Sequence, residues 1–481
     1  MSGLPERAIW RLSATDLLAK FRRGDVSPVQ ATQSALDRID AVDGKVNACC
    51  LVDTERALAA ARDSEQRWAR GEPIGVLDGV PVAIKDLFLT RDWPTLRGSL
   101  LIDPDQPWPE DAPSVARLRE HGAVVIGKTT TPELGWKGVT DSPRCGITGN
   151  AWDPAVTSGG SSGGSASAVA LGMVQVATGT DGGGSIRIPA SFSGIVGLKP
   201  TYGRIPLYPP SPFGTLAHAG PMTRTVEDAA LMMDVLTGFD SRDWSALPTP
   251  QESHRLGLDR GVAGMRIAFS PTLGYVDVDP EVAAMVRRAV ETIAGMGAEI
   301  EELDPGFADP VDAFEALWFS GAAKSVDQFA PDSWPRLDPG LAEICAEGRR
   351  VSASDYLDAT AERMRLGVLM GRLHETYDVL LTPTMPLVAF ATGHEVPPGW
   401  PHRRWTSWTP FSYPFNLTQQ PAASVPCGLT GAGLPVGLQV VGPRHADPTV
   451  LAVCRAYEAA VGGFPWPDLA AAEGRRNDQV T

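Results

Sequence analysis

The chain has 481 residues, with 42 Lys+Arg against 57 Asp+Glu and a formal charge of −15. That acidic balance repels phosphate backbones and anionic headgroups, which argues against nucleic acid or a membrane surface as a direct partner. A hydrophobic content of 43% excludes wholesale disorder, and 50 glycines with 42 prolines mark either linkers or rigid turns.

Residues 14–70 read as helical, with Ala31, Ala35 and Leu36 and then Ala57, Leu58 and Ala61 at helical spacing. A strand is predicted at Val80-Pro-Val-Ala-Ile84, ending in Lys85-Asp86, followed by a helix from Ser114 to His121 and a strand from Ala123 to Ile126. Next come the run Thr157-Ser-Gly-Gly-Ser161-Ser162-Gly-Gly-Ser165, an Ala-rich helix over 166–172 and a strand over 174–177. These lead into Thr180-Asp-Gly-Gly-Gly-Ser185-Ile-Arg187. A helix is expected from Asp228 to Leu236 and a surface excursion over 238–262. Strand, helix and strand follow at 266–269, 280–296 and 299–303. Residues 310–375 read as helices, 378–381 and about 434–441 as strands, and the last ten or so residues as frayed. This alternation predicts an α/β fold with a largely buried sheet.

Two motif matches are misleading. Gly122-Ala-Val-Val-Ile-Gly127-Lys128-Thr129 fits the P-loop expression, but its centre is strand-like and a phosphate cradle needs a loop there. Gly160-Ser161-Ser162-Gly163-Gly164 fits G-x-S-x-G, yet no convincing strand precedes it and the seven histidines are scattered, His218 alone beside Gly220-Pro221. A linker reading of 158–165 is weakened by the helix and strand that run straight on. The cysteines at 49, 50, 145, 345, 427 and 454 form no C-x-x-C pair and no His/Cys cluster, so neither a disulfide framework nor a metal site is expected. The start of the chain does not look like a signal peptide, and no apolar run reaches the roughly 18 residues of a membrane span. A cytoplasmic protein is expected, and no motif calls for a cofactor.

Three glycines, Gly182 to Gly184, precede Ser185 and can turn successive backbone N–H groups towards one point, which a developing oxyanion requires. A serine hydroxyl needs a base. Lys85 at the end of an apolar strand becomes one if burial lowers its pKa; an ion pair with Asp86 is the competing reading.

These segments resemble the amidase signature family. The resemblance rests on 157–200, including Ile188-Pro and Gly197-Leu-Lys-Pro200, on Gly79-Val-Pro-Val-Ala-Ile-Lys85-Asp and Gly127-Lys-Thr, on Pro414-Phe-Asn with Gln420-Pro-Ala, and on Gly433-Leu-Pro-Val-Gly-Leu-Gln. It covers roughly residues 10–465 as one catalytic domain, with a core of 70–230 and 376–465 and a more variable lobe at 240–375. It implies a mixed, twisted central sheet covered by helices on both faces. It also implies Ser185 as nucleophile, Ser161 on a cis peptide as proton relay and Lys85 as base. Oxyanion donors are implied at Gly182, Gly183, Gly184 and Ser185, with Ser162, Asp181 and Arg187 in support. Asn150-Ala-Trp152, Thr130, Ser193 and Gln419 depart from common family residues without touching the triad.

Within the family, a Gly at 182 and the runs Ile205-Pro-Leu-Tyr-Pro-Pro and Phe213-Gly-Thr-Leu-Ala-His218 resemble stand-alone bacterial amidases. The amidase component of a tRNA-dependent amidotransferase usually has Thr at position 182. The resemblance therefore points to a small-molecule amide or carbamate as substrate, acted on by a monomer or homodimer, with the amidase subunit of a tRNA-dependent amidotransferase as one alternative and a Ser/His/Asp esterase as the alternative of another class. Thirteen tryptophans, among them Trp136, Trp318, Trp334 and the 400–408 cluster, are either ordinary core aromatics or walls of an apolar pocket for aryl or alkyl amides, anilides or carbamates. Trp136, Thr140, Asp141 and Gln419 are candidate substrate contacts.

Overall fold

The computed structural model describes residues 6–469. In chain order the strands are β1 (Cys49–Val52), β2 (Pro81–Lys85), β3 (Val124–Thr129), β4 (Asp141–Ser142), β5 (Gly146–Ile147), β6 (Val176–Asp181), β7 (Val196–Lys199), β8 (His218–Thr223), β9 (Arg266–Phe269), β10 (Glu299–Glu302), β11 (Val379–Pro383), β12 (Ala422–Leu429) and β13 (Pro435–Val441). Eleven of them form one sheet in the order β1-β3-β2-β6-β8-β7-β12-β13-β11-β9-β10, and β4 and β5 make a separate hairpin. The sheet is mixed. β2 runs parallel to β3 and β6, and β9 parallel to β10 and β11, while β6–β8, β7–β12 and β12–β13 are antiparallel.

Alternation along the strands separates two faces. Val82, Ile84, Val176, Leu198, Ile267, Leu381, Val425 and Leu438 point into one core layer. On the opposite face Ala83, Ala177 and Met222 pack under the N-terminal helices. Ala268, Leu380 and Ala422 pack there against an aromatic cluster that includes Phe314, Trp318, Trp405 and Phe415. Several helices begin at a side-chain cap. Ser13, Ser27, Asp53, Thr225, Asp279 and Ser352 each accept a backbone N–H of the first turn, a contact that contributes about 1 kcal/mol.

The predicted helix–strand alternation matches the observed order, with differences that have physical causes. β1 interrupts the stretch 14–70 read as helical, and β4, β5, β7, β8 and β12 and the helices Arg187–Ser193, Pro414–Leu417 and Asp447–Ala460 are not among the predicted elements. β7 and β8 are buried along their whole length, so no polar alternation marks them. Pro221 in β8 and Pro426 beside the irregularity of β12 remove donors that a sheet interior normally uses. β6 continues to Asp181, beyond the predicted end at residue 177. Residues 266–302, expected in the variable lobe, carry β9 and β10 and extend the central sheet through the pairing of β9 with β11. The predicted fraying of the last residues lies outside the described residues.

Candidate active site

The parallel pairing of β2 with β6 brings the carboxyl ends of both strands to one edge of the sheet, setting Lys85 beside Thr180 and Asp181. Lys85 is fully buried, and its Nζ lies 2.8 Å from each of three hydroxyls, those of Ser161, Ser162 and Thr180. Burial pushes its pKa well below the ordinary lysine value, with the Asp181 charge acting in the opposite sense. Ser162 donates its own proton to the Thr180 carbonyl at 3.3 Å and so accepts from Lys85. The lone pair of a neutral Lys85 amine is thereby left to Ser161 or Thr180. Asp86, the alternative partner for Lys85, is ion-paired with Lys128 at 2.8 Å.

The Gly160–Ser161 peptide is cis. Ser162 stands at the N-cap of the helix Gly163–Ala170, and its N–H donates to the Ser185 carbonyl at 3.2 Å, tying the two small-residue loops together. Ser161 and Ser185 line one cavity of about 320 Å³, although no hydrogen bond joins their hydroxyls.

Under the glycine turn lies a buried ion pair. Both Asp181 oxygens accept from Arg187, at 3.0 and 2.9 Å, and neither side chain is exposed. Burial raises the Asp181 pKa, but Arg187 outweighs it and holds the carboxyl well below the usual range. Arg187 spends its remaining donors on the Ser412 carbonyl (2.9 Å), Gln439 Oε1 (2.8 Å) and Asn416 Oδ1 (2.6 Å). Asp181 also accepts the Gly184 N–H at 2.7 Å. This corrects the expectation of four oxyanion donors, because the Gly184 N–H is committed to the carboxylate beneath it.

The glycines are required by close approach as well as by any anion. A Cβ on Gly182 would fall 2.6 Å from the Trp318 ring, one on Gly183 2.6 Å from Phe314, and one on Gly184, at φ 124, 2.5 Å from Ser412 Oγ. Trp318 stacks on Phe213 with ring centroids 3.8 Å apart, and its indole N–H donates to the Trp136 carbonyl at 3.1 Å.

Trp136, Thr140, Asp141 and Gln419, predicted as substrate contacts, do not line this cavity. Trp136 is fully buried and holds Trp318 from behind. Thr140 binds the Gly159 carbonyl and the Gly163 N–H at 2.7 and 3.0 Å, bracing the loop of Ser161. Asp141 pairs with Lys137, and the backbone carbonyl of Gln419 accepts from the Tyr202 N–H. The walls come instead from Leu87, Phe88, Leu134, the segment 207–213 and Trp318. His218 lines it too; its Nδ1 faces the carbonyls of Leu216 (2.8 Å) and Asp181 (3.2 Å), not a carboxylate, and burial pushes its pKa well below the ordinary value.

Residues 30–451 match the family model described as Amidase. The chain belongs to the amidase signature family. It is 35% identical to an acylamidase of Rhodococcus erythropolis, over 97% of this chain and 98% of the relative. It is 37% identical to a glutamyl-tRNA(Gln) amidotransferase subunit of Salinispora tropica, over 95% and 99%. The structure of a bacterial aryl acylamidase of the same family superposes with a TM-score of 0.88 at 29% identity, covering 93% of this chain and 96% of that one. As an amidase-family hydrolase the chain acts on amides. Among the described residues no helix is long and apolar enough to cross a membrane.

Proposed function

We propose that the chain hydrolyses a carboxylic amide C–N bond through an acyl-enzyme on Ser185, with Ser161 as proton relay and Lys85 as base. The observation that carries this reading is the buried Lys85 amine, held 2.8 Å from the Ser161 hydroxyl and depressed in pKa by burial. The relay requires the Ser185 hydroxyl to meet that of Ser161, and both residues open into the same cavity. Ser185 then attacks the carbonyl carbon as its proton passes to Ser161 and that of Ser161 passes to Lys85. The backbone N–H groups of Gly182, Gly183 and Ser185 receive the oxyanion, and Ser161 returns a proton to the leaving amine. Water then clears the acyl-enzyme by the same relay in reverse. Ser162, Asp181 and Arg187 hold the two loops in register.

The apolar walls given by Leu87, Phe88, Leu134, Phe213 and Trp318 favour aryl or alkyl amides, anilides or carbamates. The likeness to a component of the tRNA-dependent amidotransferase keeps a second reading in view. Against it stands the pairing of Gly182 with Trp318, whose ring occupies the space a threonine side chain would need. A stand-alone cytoplasmic enzyme, monomer or homodimer, fits best. Ser185→Ala is expected to abolish hydrolysis of anilides and Lys85→Ala nearly to abolish it at neutral pH, with mass spectrometry locating the acyl label on Ser185. A label on Ser161 or Ser162 with Ser185 untouched overturns the roles, and activity that needs glutamine and partner proteins supports the second reading.

A further inference from the structure

The cavity that holds Ser161 and Ser185 has an electrostatic character opposite to that of the whole chain. The protein carries a formal charge of −15, yet the cavity wall contains Arg97 and Lys324 and no Asp or Glu. Lys324 is exposed at the rim and paired with Asp327 at 3.3 Å. Arg97 is different. It is half-buried, and among the described residues its guanidinium makes no hydrogen bond and no ion pair. The nearby charges that act on it are spent on each other, since Asp86 is bonded to Lys128 at 2.8 Å. Burial without a partner pushes the Arg97 pKa down.

The backbone adds a second observation. Arg97 and Leu134 both have left-handed φ, 52° and 53°, and the Leu134 N–H donates to the Arg97 carbonyl at 2.8 Å. Non-glycine residues adopt this region at a cost and concentrate at ligand sites. Here two such residues, clasped to each other, both line the cavity of the catalytic serines.

We propose that Arg97 anchors a carboxylate carried by the substrate, so that the amides this enzyme prefers bear a negative charge remote from the bond that is cut. The planar guanidinium fork matches a carboxylate with two parallel N–H donors, and a half-buried, unpaired arginine has those donors available. The apolar walls then grip the body of the substrate while Arg97 fixes the far end, which sets the scissile carbonyl against Ser185. This inference rests on the reading of the cavity as the amide site of Ser185.

The test uses two matched pairs: 4-acetamidobenzoate against acetanilide, and the monoamide of adipic acid against hexanamide. Values of kcat and KM are measured for the wild-type protein, Arg97→Gln and Arg97→Lys. The carboxylate member of at least one pair is expected to have a kcat/KM at least tenfold higher, expressed mainly in KM. Arg97→Gln should collapse that ratio at least tenfold, and Arg97→Lys should keep part of it. If Arg97→Gln melts early, Arg97→Asn replaces it, because Asn tolerates the left-handed backbone. A preference for the neutral member of both pairs, or an unchanged ratio in Arg97→Gln, overturns the anchor. If no amide is hydrolysed in a Ser185-dependent way, the amidase reading fails separately. Calorimetric titration of Ser185→Ala with the same pairs then decides the anchor by whether tighter binding of the carboxylate member depends on Arg97.

Discussion

Adding one methyl group at residue 182 tests whether the glycine turn is shaped by the aromatic layer above it. The built Cβ falls 2.6 Å from Trp318 Cζ3 and 3.0 Å from Cη2, and Gly182 has no left-handed φ, so Gly182→Ala strains contacts rather than the backbone. Carbon atoms pack at about 3.5–4.0 Å, so the indole must retreat by about 1 Å. It is held by the Trp136 carbonyl at 3.1 Å and by stacking on Phe213 and Phe314, with centroids 3.8 and 5.5 Å away. Overpacking of this kind costs about 1–3 kcal/mol. Carried wholly into the transition state, that is a loss of about 5- to 150-fold in kcat/KM on a neutral anilide. Trp318→Phe removes the atoms of the clash, so the double variant Gly182→Ala/Trp318→Phe should recover much of the loss, with a coupling of about 1 kcal/mol or more. Wild-type rates in Gly182→Ala, or simple additivity in the double variant, refute the reasoning.

Two further outcomes follow from the charged groups. Because burial lowers the Lys85 pKa, its neutral form grows as pH rises through that lowered value. In the wild-type protein kcat/KM should therefore climb with pH and level off well below the ordinary lysine pKa, and Lys85→Ala should lack this limb; an identical limb in the variant would assign the titration elsewhere. Arg187→Ala leaves the Asp181 carboxylate buried without its partner, and a loss of about 3–5 kcal/mol is expected in denaturant unfolding. Asp181→Ala/Arg187→Ala should lose less than Arg187→Ala alone, and the reverse order would mean that the pair does not act as a unit.

What was legible in the sequence divides along physical lines. The glycine run at 182–184, Ser185 and the strand ending in Lys85 could be read locally, and the family motif supplied their grouping. The floor of the site could not. Arg187 meets Asn416 and Gln439, more than two hundred residues away, and no periodicity announces such contacts. Both partners fall in motifs that carry the family resemblance, so a signal was present without a role attached. Trp318, a candidate wall, does line the cavity, whereas the candidate substrate contacts fall outside it for a related reason. Trp136 and Thr140 stand next to the site but act through Trp318 and the 159–163 loop, and sequence proximity does not distinguish touching a ligand from bracing what touches it. Arg97 and the 207–213 segment lie on loops, whose path tertiary packing decides.

The far border of the sheet has its own consequence. β10, the last strand beside β9, reads Glu299-Ile-Glu-Glu302, and its three glutamates face solvent. An unpaired strand offers its backbone to any other chain. A second copy laid along this one would bring carboxylates against carboxylates across the new ladder, so this border is guarded against runaway strand addition.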